Sequence, residues 1–98
     1  MDRAEVIGLV REYKRVITPD FEGAKVYLYG SYSKGTDHKD SDIDVAVVVP
    51  TLNGDWLERS AYLWKKVDQV SLYIEPVLIA EDHPSPLYYD VLKTGVAV

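Results

Sequence analysis

The run Gly30-Ser31-Tyr32-Ser33-Lys34-Gly35-Thr36, then Asp37 to Asp40, then Ser41-Asp42-Ile43-Asp44-Val45-Ala46-Val47-Val48-Val49 decides how this 98-residue chain is read. Its end, Ile43 to Val49, predicts a strand that is β-branched and almost unbroken in apolar character. Such a strand is central and covered on both faces. Pro50 stops it. The polar half before it separates this strand from a shorter one, Lys25 to Tyr29, which Gly30 closes.

Outward from these two strands the periodicities are plain. Val6, Leu9, Val10, Tyr13, Val16 and Ile17 follow a 3.6-residue repeat, which predicts an amphipathic helix from Asp2 to Ile17. Asp2 is its expected N-cap, with Glu5 three positions on as capping-box partner. Thr18-Pro19 ends it, since a residue before proline avoids the helical region. Asn53-Gly54-Asp55 turns into a second helix to about Asp68, with Leu57, Ala61, Trp64 and Val67 along its expected apolar face. Leu72 to Ala80 predicts a third long strand, at an edge or bulged because Pro76 removes a ladder donor. Pro84 and Pro86 open a last helix through Lys93, capped at Gly95, and Val96 to Val98 add a short strand. The order α-β-loop-β-α-β-α predicts one domain over residues 1–98, a mixed sheet backed by helices.

Composition narrows the function. Apolar residues make up 47%, as in a globular domain. Sixteen acidic against eleven basic residues give a net charge of −5, which argues against stable nucleic-acid binding through clustered Lys and Arg. The absence of cysteine removes disulfides, thiolate zinc sites and cysteine nucleophiles. No apolar run approaches the roughly 18 residues of a membrane span, and the N-terminus, with Asp2, Glu5 and Glu12, is unlike a signal peptide. A soluble cytoplasmic protein is the expectation.

Within the deciding stretch, Asp42 and Asp44 are alternate residues at a strand start, so they share a face roughly 6.5–7 Å apart. Two carboxylates at that spacing can bracket a pair of divalent cations, which prefer hard oxygen ligands beside substrate phosphates. The pair alone is weak. With ten aspartates in the chain about one Asp-x-Asp arises by chance, Asp40-x-Asp42 is a second, and a solvated strand end would read the same. Its place at the head of an apolar strand adds weight, because two like charges there call for neutralisation.

Gly30 lets backbone N–H groups approach an anion, and Ser31 adds a hydroxyl donor. A short helix starting at Ser31 would turn its positive end to a phosphate, Gly35 would end that turn, and Lys34 would add a cation. An ordinary glycine turn is the plainer alternative, and the spacing is not that of a Walker A loop. Glu75, the only acid inside the third strand, is the candidate third carboxylate, since a charge in such an apolar run is rarely buried unless paired or ligated. An edge strand pointing Glu75 to water is its alternative. Tyr occurs eight times and Trp twice; Trp56, Tyr62, Tyr88 and Tyr89 exceed what so small a core can take, and form either a half-wet boundary or an interface. His38 and His83 read as loop histidines.

Gly30-Ser31, Gly35, Ser41-Asp42-Ile43-Asp44-Val45 and the later strand acid Glu75 resemble the nucleotidyltransferase superfamily related to DNA polymerase beta. The short length and Ile74-Glu75-Pro76-Val77-Leu78 are similar to its smallest branch, the minimal nucleotidyltransferases. The resemblance covers nearly the whole chain. It implies an α/β (α+β) fold, a small mixed β-sheet with helices packed on one face. It implies that Gly30 and Ser31 hold the triphosphate of ATP or another nucleotide, that Asp42 and Asp44 bind two Mg²⁺ ions, and that Glu75 helps ligate the catalytic metal and serves as base or orienter of the attacking hydroxyl. The chain departs from the family in having Glu where Asp is common at this third position. The resemblance further implies a small helical HEPN-type partner protein for which the chain is antitoxin, in some pairs by transfer of AMP onto a tyrosine. A masking antitoxin with a vestigial site and a nucleotide sensor without turnover remain the alternatives.

Overall fold

The computed structural model describes residues 1–35 and 41–98. His38 and the first acid of Asp40-x-Asp42 lie outside the described residues.

Helix α1 spans Arg3–Ile17 and buries Val6, Val10, Tyr13 and Ile17. Asp2 caps it by accepting the Glu5 N–H at 2.8 Å, a contact worth about 1 kcal/mol. Thr18 does not leave the helical region as its place before proline predicts. Thr18–Asp20 instead tightens into one 3₁₀ turn with Pro19 at its start, where the missing N–H would be unpaired anyway. The Thr18 hydroxyl donates to the Lys14 carbonyl at 2.6 Å.

Strands β1 (Lys25–Tyr29), β2 (Ile43–Val49), β3 (Ile74–Ala80) and β4 (Val96–Ala97) form one sheet in the order β3-β2-β1-β4. β1 runs antiparallel to both β2 and β4, and β2 runs parallel to β3. A parallel pair needs a crossover, which α3 (Trp56–Val67) supplies. β2 is interior and β3 is an edge, so Pro76 costs no second ladder.

Alternation sorts the sheet into two faces. Ile43, Val45 and Val47 with Val26, Leu28, Ile74 and Leu78 pack against Val6, Val10, Tyr13 and Ile17 of α1 and Leu63 and Val67 of α3. On the other face Ala46, Val48 and Ile79 form a smaller cluster with Val91, Leu87 and Tyr88 of α4 (Pro86–Thr94). The expected mixed sheet with helices α1 and α3 on one face is present, and α4 adds partial cover to the second. That second face is left open toward the N-terminal ends of β2 and β3.

The apolar face of α3 differs from the expected one. Leu57 and Trp64 are 76% and 51% exposed, while Val67 is buried as expected and shares the buried face with Leu63. The helix carries two competing apolar stripes, and its neighbours choose between them. The buried Tyr13 hydroxyl donates to the Leu63 carbonyl at 2.8 Å, the Arg59 guanidinium lies 4.1 Å from the Phe21 ring centroid, and Tyr62 packs on the same ring. Among the described residues no helix is long and apolar enough to cross a membrane.

Candidate active site

The site residues are placed by strand register. Ile43 and Val45 point into the α1–α3 core, which turns Asp44 onto the opposite, open face. Asp44 is paired with Glu75 across the parallel β2–β3 ladder. Buried Ile74 and Pro76 flank Glu75 and leave its side chain exposed on that same face. Asp42, just before β2, is exposed and lies near enough for its charge to act on the Glu75 carboxyl.

Crowding shows in the protonation of the acids. Asp44 titrates above the usual aspartate range, first because it is partly buried and then because of the Asp42 charge. Glu75 is likewise raised, by desolvation, by the charge of Asp42 and by that of Asp44. Carboxylates at close quarters raise one another's pKa, because each negative charge disfavours the next. Among the described residues no three ligating side chains converge closely enough to hold an ion in their present rotamers. The oxygen donor set itself suits a hard cation such as Mg²⁺, and such a cation would relieve the repulsion.

The glycine turn abuts the acids. Gly30 has φ of +72°, and a Cβ built there would overlap the Asp44 carboxylate, so only glycine lets β1 end this close. Ser31–Lys34 forms the single-turn helix α2, and Gly35, in the left-handed region, ends it. The Gly30 carbonyl accepts from the Lys34 N–H at 3.1 Å and the Ser33 hydroxyl at 2.9 Å. Lys34 Nζ lies 3.6 Å from Asp90 Oδ2 on α4, so the candidate phosphate cation is already tied to an acid.

Two residues of the neighbourhood were not singled out by the sequence. Tyr29 is the register partner of Asp44 on β1, and its hydroxyl is pushed up to about 12 by burial and by the charges of Asp44, Glu75 and Asp90. Asp90 is brought in by α4. The alternation of Tyr27 and Tyr29 against Val26 and Leu28 marks the face of Tyr29, but only pairing reveals its neighbour. A pocket of about 330 Å³ lined by Thr51, Leu52, Trp56, Ala80, Asp82 and His83 lies at the other end of β2 and β3 and includes none of Asp42, Asp44 or Glu75.

Known proteins resemble the chain in sequence and in fold. Over 23 residues the chain is 65% identical to protein adenylyltransferase MntA of Shewanella oneidensis, an alignment covering 24% of this chain and 16% of that protein. It is 29% identical over 76 residues to MJ1379 of Methanocaldococcus jannaschii, which carries the protein adenylyltransferase name provisionally, covering 69% of this chain and 76% of the relative. Among solved structures, a Sulfolobus solfataricus protein described provisionally as a nucleotidyltransferase superposes with a TM-score of 0.72 at 18% identity, covering 97% of this chain and 80% of that one, a likeness of fold. A chain of a toxin–antitoxin crystal structure with AMP-PNP superposes with a TM-score of 0.59 at 27% identity, covering 99% and 72%. The model of the nucleotidyltransferase domain matches residues 10–92, and with that match over most of its length the chain belongs to the nucleotidyltransferase domain family.

Proposed function

We propose that the chain is a Mg²⁺-dependent nucleotidyltransferase that moves AMP from ATP to a hydroxyl of a HEPN-type partner protein in the cytoplasm and so acts as its antitoxin. The observation that carries this reading is the transverse pairing of Asp44 with Glu75, with the Asp42 charge acting on Glu75 and Gly30 pressed against Asp44. The toxin–antitoxin neighbour with AMP-PNP supports both a nucleotide and a partner.

Asp42 and Asp44 would hold the cations and Glu75 would complete the ligand set. Bound there, Mg²⁺ would activate the acceptor hydroxyl and neutralise the leaving pyrophosphate. The chain's own work is positioning. The Gly30–Ser31 backbone and hydroxyl would hold the phosphates, and Lys34 would exchange Asp90 for a phosphate oxygen. Glu75 would orient the acceptor oxygen for in-line attack on the α-phosphorus. The new P–O bond forms as the bond to the β-phosphate oxygen breaks, and the hydroxyl proton passes to the Glu75 carboxylate. Alignment of this kind supplies much of a transferase's rate.

The test is incorporation of label from α-labelled ATP into the partner. Transfer is expected with Mg²⁺, and loss of at least about 100-fold in Asp42→Asn and in Asp44→Asn. Undiminished labelling in both variants would refute the assignment. Exposed Leu57, Trp64 and Leu72 favour a second reading, an antitoxin acting by occlusion; it predicts that Asp44→Ala still neutralises the partner at stoichiometric concentration.

A further inference from the structure

We propose that Tyr29 is a positioning residue for Asp44, its hydroxyl donating to one carboxylate oxygen so that the other is presented to a divalent cation. This rests on the metal-dependent reading above and extends it to a residue outside the acids and the glycine turn. The register is the first support. Tyr29 on β1 and Glu75 on β3 are the partners of Asp44 on either side, so the three form one row across the sheet. Leu28, fully buried in the α1–α3 core, turns Tyr29 onto the opposite face.

Surroundings supply the second support. Tyr29 is half-buried in the cluster under α4 and feels the charges of Asp44, Glu75 and Asp90, acids from three different elements. A neutral hydroxyl can stand among carboxylates without adding to their repulsion, and it offers them a donor. Tyr29 also directly precedes Gly30, whose Cα packs on Asp44. The phenol and the glycine therefore flank one carboxylate, the glycine by contact and the phenol from the paired position on β1. Ligating carboxylates are commonly held by such outer hydrogen bonds, and losing one costs about 10–100-fold in metal affinity.

The experiment is a calorimetric titration of the full chain with Mn²⁺ alone, in wild type, Tyr29→Phe, Tyr88→Phe and Asp44→Asn, with cation-free Tm measured for each. Tyr88 belongs to the same cluster, but its hydroxyl donates to Glu81 at 3.4 Å, away from the row. The expected result is weaker Mn²⁺ binding in Tyr29→Phe by about 10–100-fold, with wild-type affinity in Tyr88→Phe. Wild-type affinity in Tyr29→Phe, or equal weakening in Tyr88→Phe, overturns the role of Tyr29 while loss in Asp44→Asn leaves the acid site standing. Mn²⁺ binding that Asp44→Asn does not weaken overturns the acid site and this proposal together.

Discussion

Gly30, the residue after β1, lies so close to Asp44 of β2 that a single methyl on Gly30 would collide with the Asp44 carboxylate. The contact ties the end of β1 to the head of β2 and joins the turn to the acids.

Gly30→Ala therefore meets two penalties: a positive φ with ψ of −146°, a region essentially restricted to glycine and costing about 1–3 kcal/mol, and the collision. Denaturant unfolding is expected to show a loss larger than the φ cost alone. In an Asp44→Ala background the same substitution should cost close to the φ part, because the carboxylate is gone and only the β-carbon of residue 44, 3.2 Å from the added methyl, remains. Equal costs in both backgrounds would contradict the contact.

The raised titrations of Asp44 and Glu75 give stability a definite sign with pH. A carboxyl whose folded pKa lies above its unfolded value favours the fold while protonated. That contribution is present in full below the unfolded values, 3.8 and 4.5, and is lost as pH rises through the folded ones. At neutral pH Asp44→Asn should accordingly be more stable than wild type, by a few tenths to about 1 kcal/mol, the scale of like charges facing across strands. Urea midpoints at pH 4 and pH 7 check it, the gain appearing only at the higher pH. Added Mg²⁺ should stabilise wild type and erase the difference.

The orientation of α3 is tested by two leucines six residues apart. Leu63 is 1% exposed and Leu57 76%. Leu63→Ala should cost about 2–5 kcal/mol, and Leu57→Ala should stay within about 0.5 kcal/mol. Thermal or urea unfolding distinguishes them, and comparable losses would mean the helix is turned the other way.

Lys34 and Asp90 are both nearly half exposed, so their ion pair adds under about 1 kcal/mol. Lys34→Met should leave Tm almost unchanged yet weaken binding of ATP more than of AMP, read by calorimetry. Equal weakening of both nucleotides would remove Lys34 from the phosphates.

The strand cores, α1 with its Asp2 cap, and the acids Asp42, Asp44 and Glu75 were legible from the chain because they rest on local signals. Strands need an alternating or continuous apolar run, helices a 3.6-residue stripe and a cap, and an acid inside an apolar strand stands out against its neighbours. The choice between the two stripes of α3 was not legible, since it depends on Tyr13, Asp20 and Phe21 meeting Leu63, Arg59 and Tyr62 of that helix from 39 or more residues away. Arg59 reaches the Asp20 carbonyl there, a contact no window of sequence contains.

The sequence by itself determined which residues carry charge and which segments are strands, because both follow from side-chain chemistry and short-range periodicity. Only the tertiary structure decided that Asp44, Glu75 and Tyr29 stand in one row with Gly30 beneath Asp44. A strand states which residues share its face, but the register that sets one strand's residue opposite another's is chosen when the whole sheet packs.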